Sequence, residues 1–496
     1  MQYAAIDLTS YFSTLSKKVP LLKEGIKSIR EIEYYFGKIQ DINYKSIYSI
    51  KVVAELPSDK NIIDFVQKII KAIKIVKPEN IKHDLLGRLF HELLPFKTRK
   101  ILAAFYTNPI AAELLAGLSI DKWDEKVMDT ACGFRTLYIS NLHSLLVSLA
   151  IAGSVACETG TLLVSAYRRK FDLYKQIQKL DPRNIEKMHK KFVEEDLTGS
   201  DLMPFASHLT AVNLCAQTIK VTTNFLRIAV FDSLDFSKYP NINSGIPVNT
   251  FNKTIQSTLF KSAINNNELN ELKGAVNSNG KGESFKIYRV DTLIMNPPFT
   301  DREKMPSDYR EKLKEYSKLI PRCGGQVNLW GYFLALADDL VKNNGKIGAV
   351  IPINIFRGSA TEKIRNFILE NYKIRYIVKT TKELGFSEDS AFRDVLLILE
   401  KTNPQSEDLT GIILLKKSLK EFTIVDSKNL VNKILAIPKG EQVNRDEDIE
   451  VYWIDYKELL KFKDNLMPKI GFAQTRDVLD GFLNLVFFNL TNNLFW

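Results

Sequence analysis

Between residues 101 and 402, short apolar runs alternate with longer stretches of helical spacing. The runs are Lys126–Asp129, Leu197–Asp201, Arg227–Phe231, Asp291–Met295, Lys346–Ile351, Ile374–Lys379 and Asp394–Glu400. Runs this short suit buried strands better than helices. Strands alternating with helical patterns predict an α/β fold, a parallel sheet with helices on both faces. Residues 1 to about 100 are rich in Lys and Ile, with apolar positions three and four apart around Ile62-Ile63, Val66 and Ile69-Ile70. That spacing predicts a helical N-terminal domain. Asn241 to Gly282 is rich in Asn, Ser and Gly and predicts a long insertion loop. From about 403 onward no strong pattern stands out, so 403–496 is expected to be a short C-terminal region. It ends in the apolar tail Phe482 to Phe488.

One of the runs ends abruptly. Val290 to Met295 is followed by Asn296-Pro297-Pro298-Phe299. Successive prolines forbid both a helix and a continued central strand. The chain must break into a rigid loop at the strand's carboxyl end, where open α/β sheets hold their ligands. Such a loop suits one kind of chemistry. An exocyclic aromatic amine is a poor nucleophile because its lone pair is delocalised into the ring. An Asn side-chain oxygen and a proline carbonyl can each accept an N–H from it and favour a tetrahedral nitrogen. A following Phe offers a face for a base taken out of its stack. The plainer alternative is a Pro-Pro turn with a buried Phe.

Bulk properties narrow the partner more than the reaction. The chain has 496 residues, 45% hydrophobic and 26% charged, enough for two or three domains. Its net charge of +11 suggests a polyanion. The stretch from Arg168-Arg169-Lys170 to Lys190-Lys191 could face phosphates or be a solvated helix face. Cys132, Cys157, Cys215 and Cys323 form no C-x-x-C pair and the five histidines are scattered, so neither a zinc site nor a disulfide framework is expected. That fits a reducing cytoplasm. The N-terminus lacks the layout of a signal peptide, and the longest apolar stretch, Leu145 to Cys157, is too short to span a bilayer.

With these motifs in order, residues 80 to 402 resemble the S-adenosylmethionine-dependent N6-adenine DNA methyltransferases of restriction-modification and phage-defence systems. The resemblance implies a Rossmann-like methyltransferase sheet at 101–402, with 403–496 as part of a target-recognition region. "ILAAFYTNPIAAELLA" places Tyr106 and Thr107 in the family's N-terminal cofactor motif, with Asn108 before the proline as a small departure. "DTACG" puts Asp129, Ala131 and Gly133 in the cofactor loop. Asp201 matches the acid that holds the ribose hydroxyls, and Leu202 would pack on the cofactor's adenine. Asp232 matches the acid that accepts from the adenine amine. Asn296 to Phe299 would be the catalytic loop, with Asn296 and Pro297 orienting the amine and Phe299 stacking on the base. "GGQVNLWGYFLALADDLVKNNGKIGAVIP" resembles the next helix and strand, and "LGFSEDSAFRDVLLILEK" the closing hairpin. Taken singly, Asp201 and Asp232 read as helix N-caps. Three acids at strand ends together with the Asn-Pro-Pro-Phe loop, in this order, favour an adenosine-bearing ligand instead.

The pattern breaks once. After Gly133 comes Phe134-Arg135-Thr136-Leu137, whereas Gly160-Thr161-Leu162-Leu163 and "VSAYRR" continue the family's pattern after a gap of about 25 residues. An insertion at about 134–158 accounts for this, and it is expected to weaken cofactor binding. The resemblance thus implies S-adenosylmethionine as cofactor, DNA as partner, a possible separate specificity subunit and no metal. The competing readings are an RNA or protein methyltransferase using the same loop, and an inactive relic that only binds nucleic acid.

Overall fold

The computed structural model describes residues 26–28, 30–34, 60–75, 106–131, 160–178, 181–201, 204–218, 221, 223, 225–239, 246–248, 285–305, 307–388, 393–444 and 446–470. Its strands are β1 (Tyr106–Thr107), β2 (Val127–Asp129), β3 (Leu197–Asp201), β4 (Arg227–Val230), β5 (Ile246–Val248), β6 (Phe285–Ile287), β7 (Val290–Met295), β8 (Val341–Pro352), β9 (Lys373–Thr380), β10 (Ser387–Glu388), β11 (Asp394–Glu400), β12 (Leu409–Leu415) and β13 (Ile449–Asp455). The longer helices are α1 (Lys60–Ile75), α2 (Pro109–Ser119), α3 (Thr161–Ile177), α4 (Pro182–Lys190), α5 (Pro204–Ala216), α6 (Ser307–Glu315), α7 (Leu329–Leu340), α8 (Glu362–Asn371) and α9 (Ile424–Ala436).

Nine strands form one sheet in the order β13-β12-β9-β11-β8-β7-β2-β3-β4. From β8 through β7, β2 and β3 to β4 every neighbour is parallel. β11 runs antiparallel between β8 and β9, and β13 runs antiparallel to β12. The chain leaves β2 towards β3 and β4, then returns to lay β7 and β8 on the other side. The order therefore reverses at β2, which makes a crevice at the carboxyl ends of β2 and β7. The fold is α/β with a Rossmann-like sheet.

The apolar runs become strands because both sheet faces are covered. β3 is buried at every position, and β7 at all but Asp291. α2 lies against the sheet and is apolar on nearly every side, as a central helix must be. It starts at Pro109, which suits a first turn, with the Asn108 side chain accepting the Ile110 N–H. Gly117 lets α9 approach closely, since a Cβ there would lie 2.5 Å from Val431. Ile62, Ile63 and Val66 of α1 pack against the core as their spacing predicts.

Several expectations change. Residues after 403 carry more structure than their pattern suggests, since β12 and β13 extend the same sheet and α9 packs against α2. The basic stretch from Arg168 begins by turning inward, neither solvated nor facing a phosphate surface. Lys170 is fully buried and paired with Asp196 at 3.1 Å, and Arg168 pairs with buried Glu113 at 3.0 Å. Of the segment Asn241 to Gly282, β5 is described and pairs with β6; the remainder lies outside the described residues, as do the expected insertion at 134–158 and the tail Phe482 to Phe488. The "LGFSEDSAFRDVLLILEK" segment divides. Its second half is β11, which pairs with β9, while β10 leaves the main sheet to pair with β1.

Candidate active site

The polar side chains of interest gather at one edge of the sheet. In spatial order, Asn296 follows β7, Asp129 ends β2, Asp201 ends β3 and Asp232 follows β4 by two residues. These four strands are adjacent and parallel, so their carboxyl ends open on the same side. All four side chains are at least nine-tenths buried.

Asn296 is held from outside the main sheet. Its Nδ2 donates to Thr107 Oγ1 at 2.9 Å, with Ser387 Oγ at 3.5 Å. Thr107 and Ser387 face each other across the β1–β10 pair. An amide whose NH2 is committed at one end presents its oxygen at the other. Pro297 is buried, Pro298 half-buried, and Phe299 only 2% exposed within the core. The ring of Phe299 therefore has no open face in this conformation.

Asp129 sits in a different electrostatic setting. Its Oδ1 accepts the Ala131 N–H at 2.9 Å, while buried Oδ2 has no hydrogen-bond partner among the described residues. Burial pushes its carboxyl up to about 7, against the pull of the Ala131 N–H. Across the crevice, Gly160 precedes α3 with φ of 72°, where a side chain is strained. A Cβ there would also lie 2.5 Å from Thr210. The N-terminus of α3 and the end of β2 thus flank the segment that contains Gly133, which lies outside the described residues, as does Leu202. Tyr106 is placed by its backbone in β1.

Asp201 closes β3, and its carbonyl accepts the Phe231 N–H at 2.7 Å. Asp232 does cap a short helical turn, its Oδ1 accepting from Leu234 N at 3.2 Å. Its Oδ2 also receives Lys312 Nζ from α6 at 2.7 Å. Lys312 reaches Asp235 too, at 3.5 Å, and Tyr316 donates to Asp235 at 2.9 Å. The Lys312 contact is absent from any sequence pattern, being 80 residues away.

A second omission is Asp394, the first residue of β11. Its carboxylate accepts the backbone N–H groups of Phe386 and Ser387. It lies opposite Pro352 at the end of β8, on the same sheet edge. Burial pushes it up to about 7 against these bonds.

Comparison with known proteins places the central stretch. Residues 195–386 match the Eco57I restriction-modification methylase family. The type II methyltransferase M.AccI of Acinetobacter calcoaceticus is 24% identical over 214 residues, 41% of this chain and 37% of that protein. M.BstVI of Geobacillus stearothermophilus is 25% identical over 121 residues, 24% of this chain and 21% of that protein. M.BanIII of Aneurinibacillus aneurinilyticus is 33% identical over 89 residues, 18% and 15% of the two chains. The matched stretches thus span well under half the length of these relatives. Among solved structures, a type I restriction-modification methyltransferase subunit from Streptococcus thermophilus aligns with 92% of this chain and 82% of its own, at 14% identity and a TM-score of 0.48. The stretch that matches that family model includes β3, β4, β7 and the Asn296 loop.

Proposed function

We propose that the chain is a site-specific DNA methyltransferase that moves a methyl group from S-adenosylmethionine to N6 of adenine. One observation carries this reading: the Asn296-Pro297-Pro298-Phe299 loop leaves β7 beside the β2 switch point, with the Asn296 NH2 tied to Thr107. The amide oxygen and the Pro297 carbonyl would accept the two N–H bonds of the target amine and turn its lone pair towards the cofactor.

The cofactor supplies an electrophilic methyl on a sulfonium. The residues that would hold it are Tyr106, Thr107, Asp129, Ala131, Gly133, Gly160, Asp201, Leu202 and Asp232. They fit such a ligand on chemical grounds. Asp129 Oδ2 is buried without a hydrogen-bond partner among the described residues, an acceptor suited to an ammonium or hydroxyl. The cofactor carries an ammonium, a sulfonium, vicinal hydroxyls and an amine, all of which favour carboxylate neighbours. Glycine at 160 leaves room where the chain must approach a ligand closely. Pro298 would stiffen the loop, and Phe299 would stack on the flipped base once that loop opens.

DNA is the partner the net charge of +11 favours. A separate specificity subunit and a cytoplasmic location belong to the same reading. Among the described residues no helix is long and apolar enough to cross a membrane. Residues 1–100, 101–402 and 403–496 would be a helical, a catalytic and a target-recognition part, the last built on strands that continue the catalytic sheet.

The test is methyl transfer from tritiated cofactor to mixed DNA, RNA and protein, followed by digestion of the labelled fraction. Label recovered as N6-methyladenine in DNA supports the proposal. Label confined to RNA or protein replaces it with that substrate. No label anywhere, with no calorimetric binding of S-adenosylmethionine, identifies a relic.

A further inference from the structure

We propose that Asn108 and Glu388 form a latch that seats the Thr107 and Ser387 hydroxyls against Asn296, which makes both of them positioning residues for methyl transfer. The proposal rests on the reading of Asn296 as the group that orients the target amine. It gives a task to Asn108, the residue at which the cofactor motif departs from its usual form.

The clamp on Asn296 is made of parts that do not hold themselves. The Asn296 NH2 meets Thr107 Oγ1 at 2.9 Å and Ser387 Oγ at 3.5 Å. Those hydroxyls come from β1 and β10, which are two residues each and stand apart from the nine-stranded sheet. A pair of strands that short has too few ladder bonds to persist alone. Thr107 and Ser387 are direct partners in it, beside Tyr106 and Glu388. The spacing of the two hydroxyls, and with it the seat of the amide, therefore depends on what ties the pair together.

Asn108 is placed to tie it. Its N–H donates to the Phe386 carbonyl at 2.9 Å, and its Nδ2 donates to Glu388 Oε1 at 3.0 Å. These two bonds grip β10 on both sides of Ser387. Its Oδ1 accepts the Ile110 N–H at 2.9 Å, which fastens the grip to α2, buried in the core from Ile110 onward. The backbone at Asn108 is extended, with φ −56° and ψ 132°, as a residue before proline prefers, so it continues β1 and caps α2 at once. A proline at this position would lack both the N–H and the side-chain amide. From the other side, the Asp394 carboxylate accepts the N–H groups of Phe386 and Ser387, so β10 is held between α2 and β11. The Asn108–Glu388 bond crosses from one half of the clamp to the other. Both side chains are half-buried, so either can be changed without opening a cavity in the core.

The experiment uses the full chain and separates the latch from the helix cap. Asn108→Asp keeps an oxygen for the Ile110 N–H, since Asp and Asn cap helices about equally well, but it replaces the donor to Glu388 with a second carboxylate. Adding Glu388→Gln supplies an amide that can donate to the new carboxylate, so the double variant remakes the bond in reverse. The first readout needs no turnover. In protein labelled with 15N only at asparagine, the Asn296 side-chain resonance is the one lost in Asn296→Ala. Its hydrogens should exchange at least fivefold faster in Asn108→Asp than in the parent and return to within about twofold in the double variant. The second readout is tritium transfer to DNA. Here kcat should fall on the order of tenfold in Asn108→Asp and recover in the double variant, with S-adenosylmethionine affinity within about threefold throughout. Thermal unfolding is followed in parallel. If Asn108→Asp unfolds, Asn108→Ser takes its place with the same expected losses, since it caps α2 but is too short to reach Glu388. Unchanged exchange in the single variant, an unchanged kcat where the parent is active, or a loss that the double variant does not recover would overturn the proposal. So would weaker cofactor binding with kcat intact at saturating cofactor, which would make Asn108 part of the cofactor site. A parent that transfers nothing to DNA while its Asn296 exchange follows the expected pattern would overturn the function proposed above and leave the latch standing.

Discussion

The two ends of the same sheet treat their buried charges in opposite ways. At the amino end, below β2, β7, β8 and β9, every named acid has a cation. Lys346 sits 3.0 Å from Glu125 and 2.8 Å from Asp121, and Arg375 meets Asp121 at 2.8 Å. Thr292 donates to Glu125, and Lys342 pairs with Asp291 at 2.6 Å. Burial works against the Asp121 and Asp291 carboxyls, yet Arg375 and Lys346, and Lys342, hold them below the usual carboxylate range. At the carboxyl end, Asp129 and Asp394 are buried without a cation among the described residues, and burial raises each to about 7. A saturated network stabilises a fold and has nothing left to offer a ligand. An acid held without a counter-charge costs stability and is retained where a ligand or a neighbouring group makes use of it.

The largest expected effect comes from breaking the saturated end. Lys346→Met removes the cation shared by Glu125 and Asp121 and leaves Glu125 buried with hydrogen bonds from Thr292 and the Asp121 and Lys122 N–H groups but without its ion-pair partner. Breaking a buried pair of this kind typically costs about 4 kcal/mol. Urea unfolding should show that loss, while methyl transfer per folded molecule stays unchanged. Undiminished stability, or a specific loss of transfer, would mean the two ends are not divided as described.

At the other end the effect should be on turnover. Asn296→Ala is expected to lower methyl transfer by about a hundredfold or more, roughly 2.7 kcal/mol, with little change in cofactor affinity. Steady-state kinetics paired with calorimetry checks both halves. Equal turnover in mutant and parent would remove Asn296 from the reaction.

Asp129 gives a pH test of the missing counter-charge. Its folded value of about 7 lies above the ordinary 3.8. Such an acid favours the folded state while protonated, so its contribution is complete below about pH 4 and is lost as pH rises through about 7. Between pH 5 and pH 8 that loss is roughly 2.5 kcal/mol. Asp129→Asn should abolish it, so the variant gains on the parent at pH 8 and matches it at pH 5. Denaturation curves at the two pH values measure the difference. An equal offset at both would show that Asp129 has a partner in the folded chain.

How much of this was legible follows from where each interaction's partners lie in the chain. β7 and β11 were readable to within a residue because strands buried on both faces keep an apolar residue at most positions. The Asn296 loop was readable because two prolines impose their geometry locally. β12 and β13 were not, although Leu409–Leu415 is almost wholly buried. Their strand state depends on β12 pairing with β9 and β13 with β12, and strand propensity is a weak guide when context decides. Asp394 and Ser387 carry no local signal. An acid before an apolar run is an ordinary thing, and Ser387 meets Asn296 across 91 residues. The one available hint was an ionisable residue entering a strand whose far neighbours are all apolar. Lys346 met Glu125 across 221 residues, equally beyond any periodicity.

Asp232 is the case between the two ends, and it gives the finest test. It belongs to the carboxyl edge by position, yet it is paired like an acid of the amino edge. Its Oδ2 holds Lys312 at 2.7 Å and its Oδ1 caps the turn at Leu234. Lys312 is 28% exposed, so screening by water keeps the pair's worth to about 1 kcal/mol. Lys312→Met should therefore cost little stability. The informative quantity is cofactor affinity. If Asp232 accepts the adenine amine, Lys312 competes for the same carboxylate, and removing it should tighten S-adenosylmethionine binding by a few-fold. If Asp232 only caps its turn, affinity should not move. Calorimetry on the parent and Lys312→Met, with thermal unfolding run in parallel, separates the two. An unchanged affinity would assign Asp232 to the saturated kind of acid and leave Asp129 as the carboxylate of the edge with an oxygen that has no partner among the described residues.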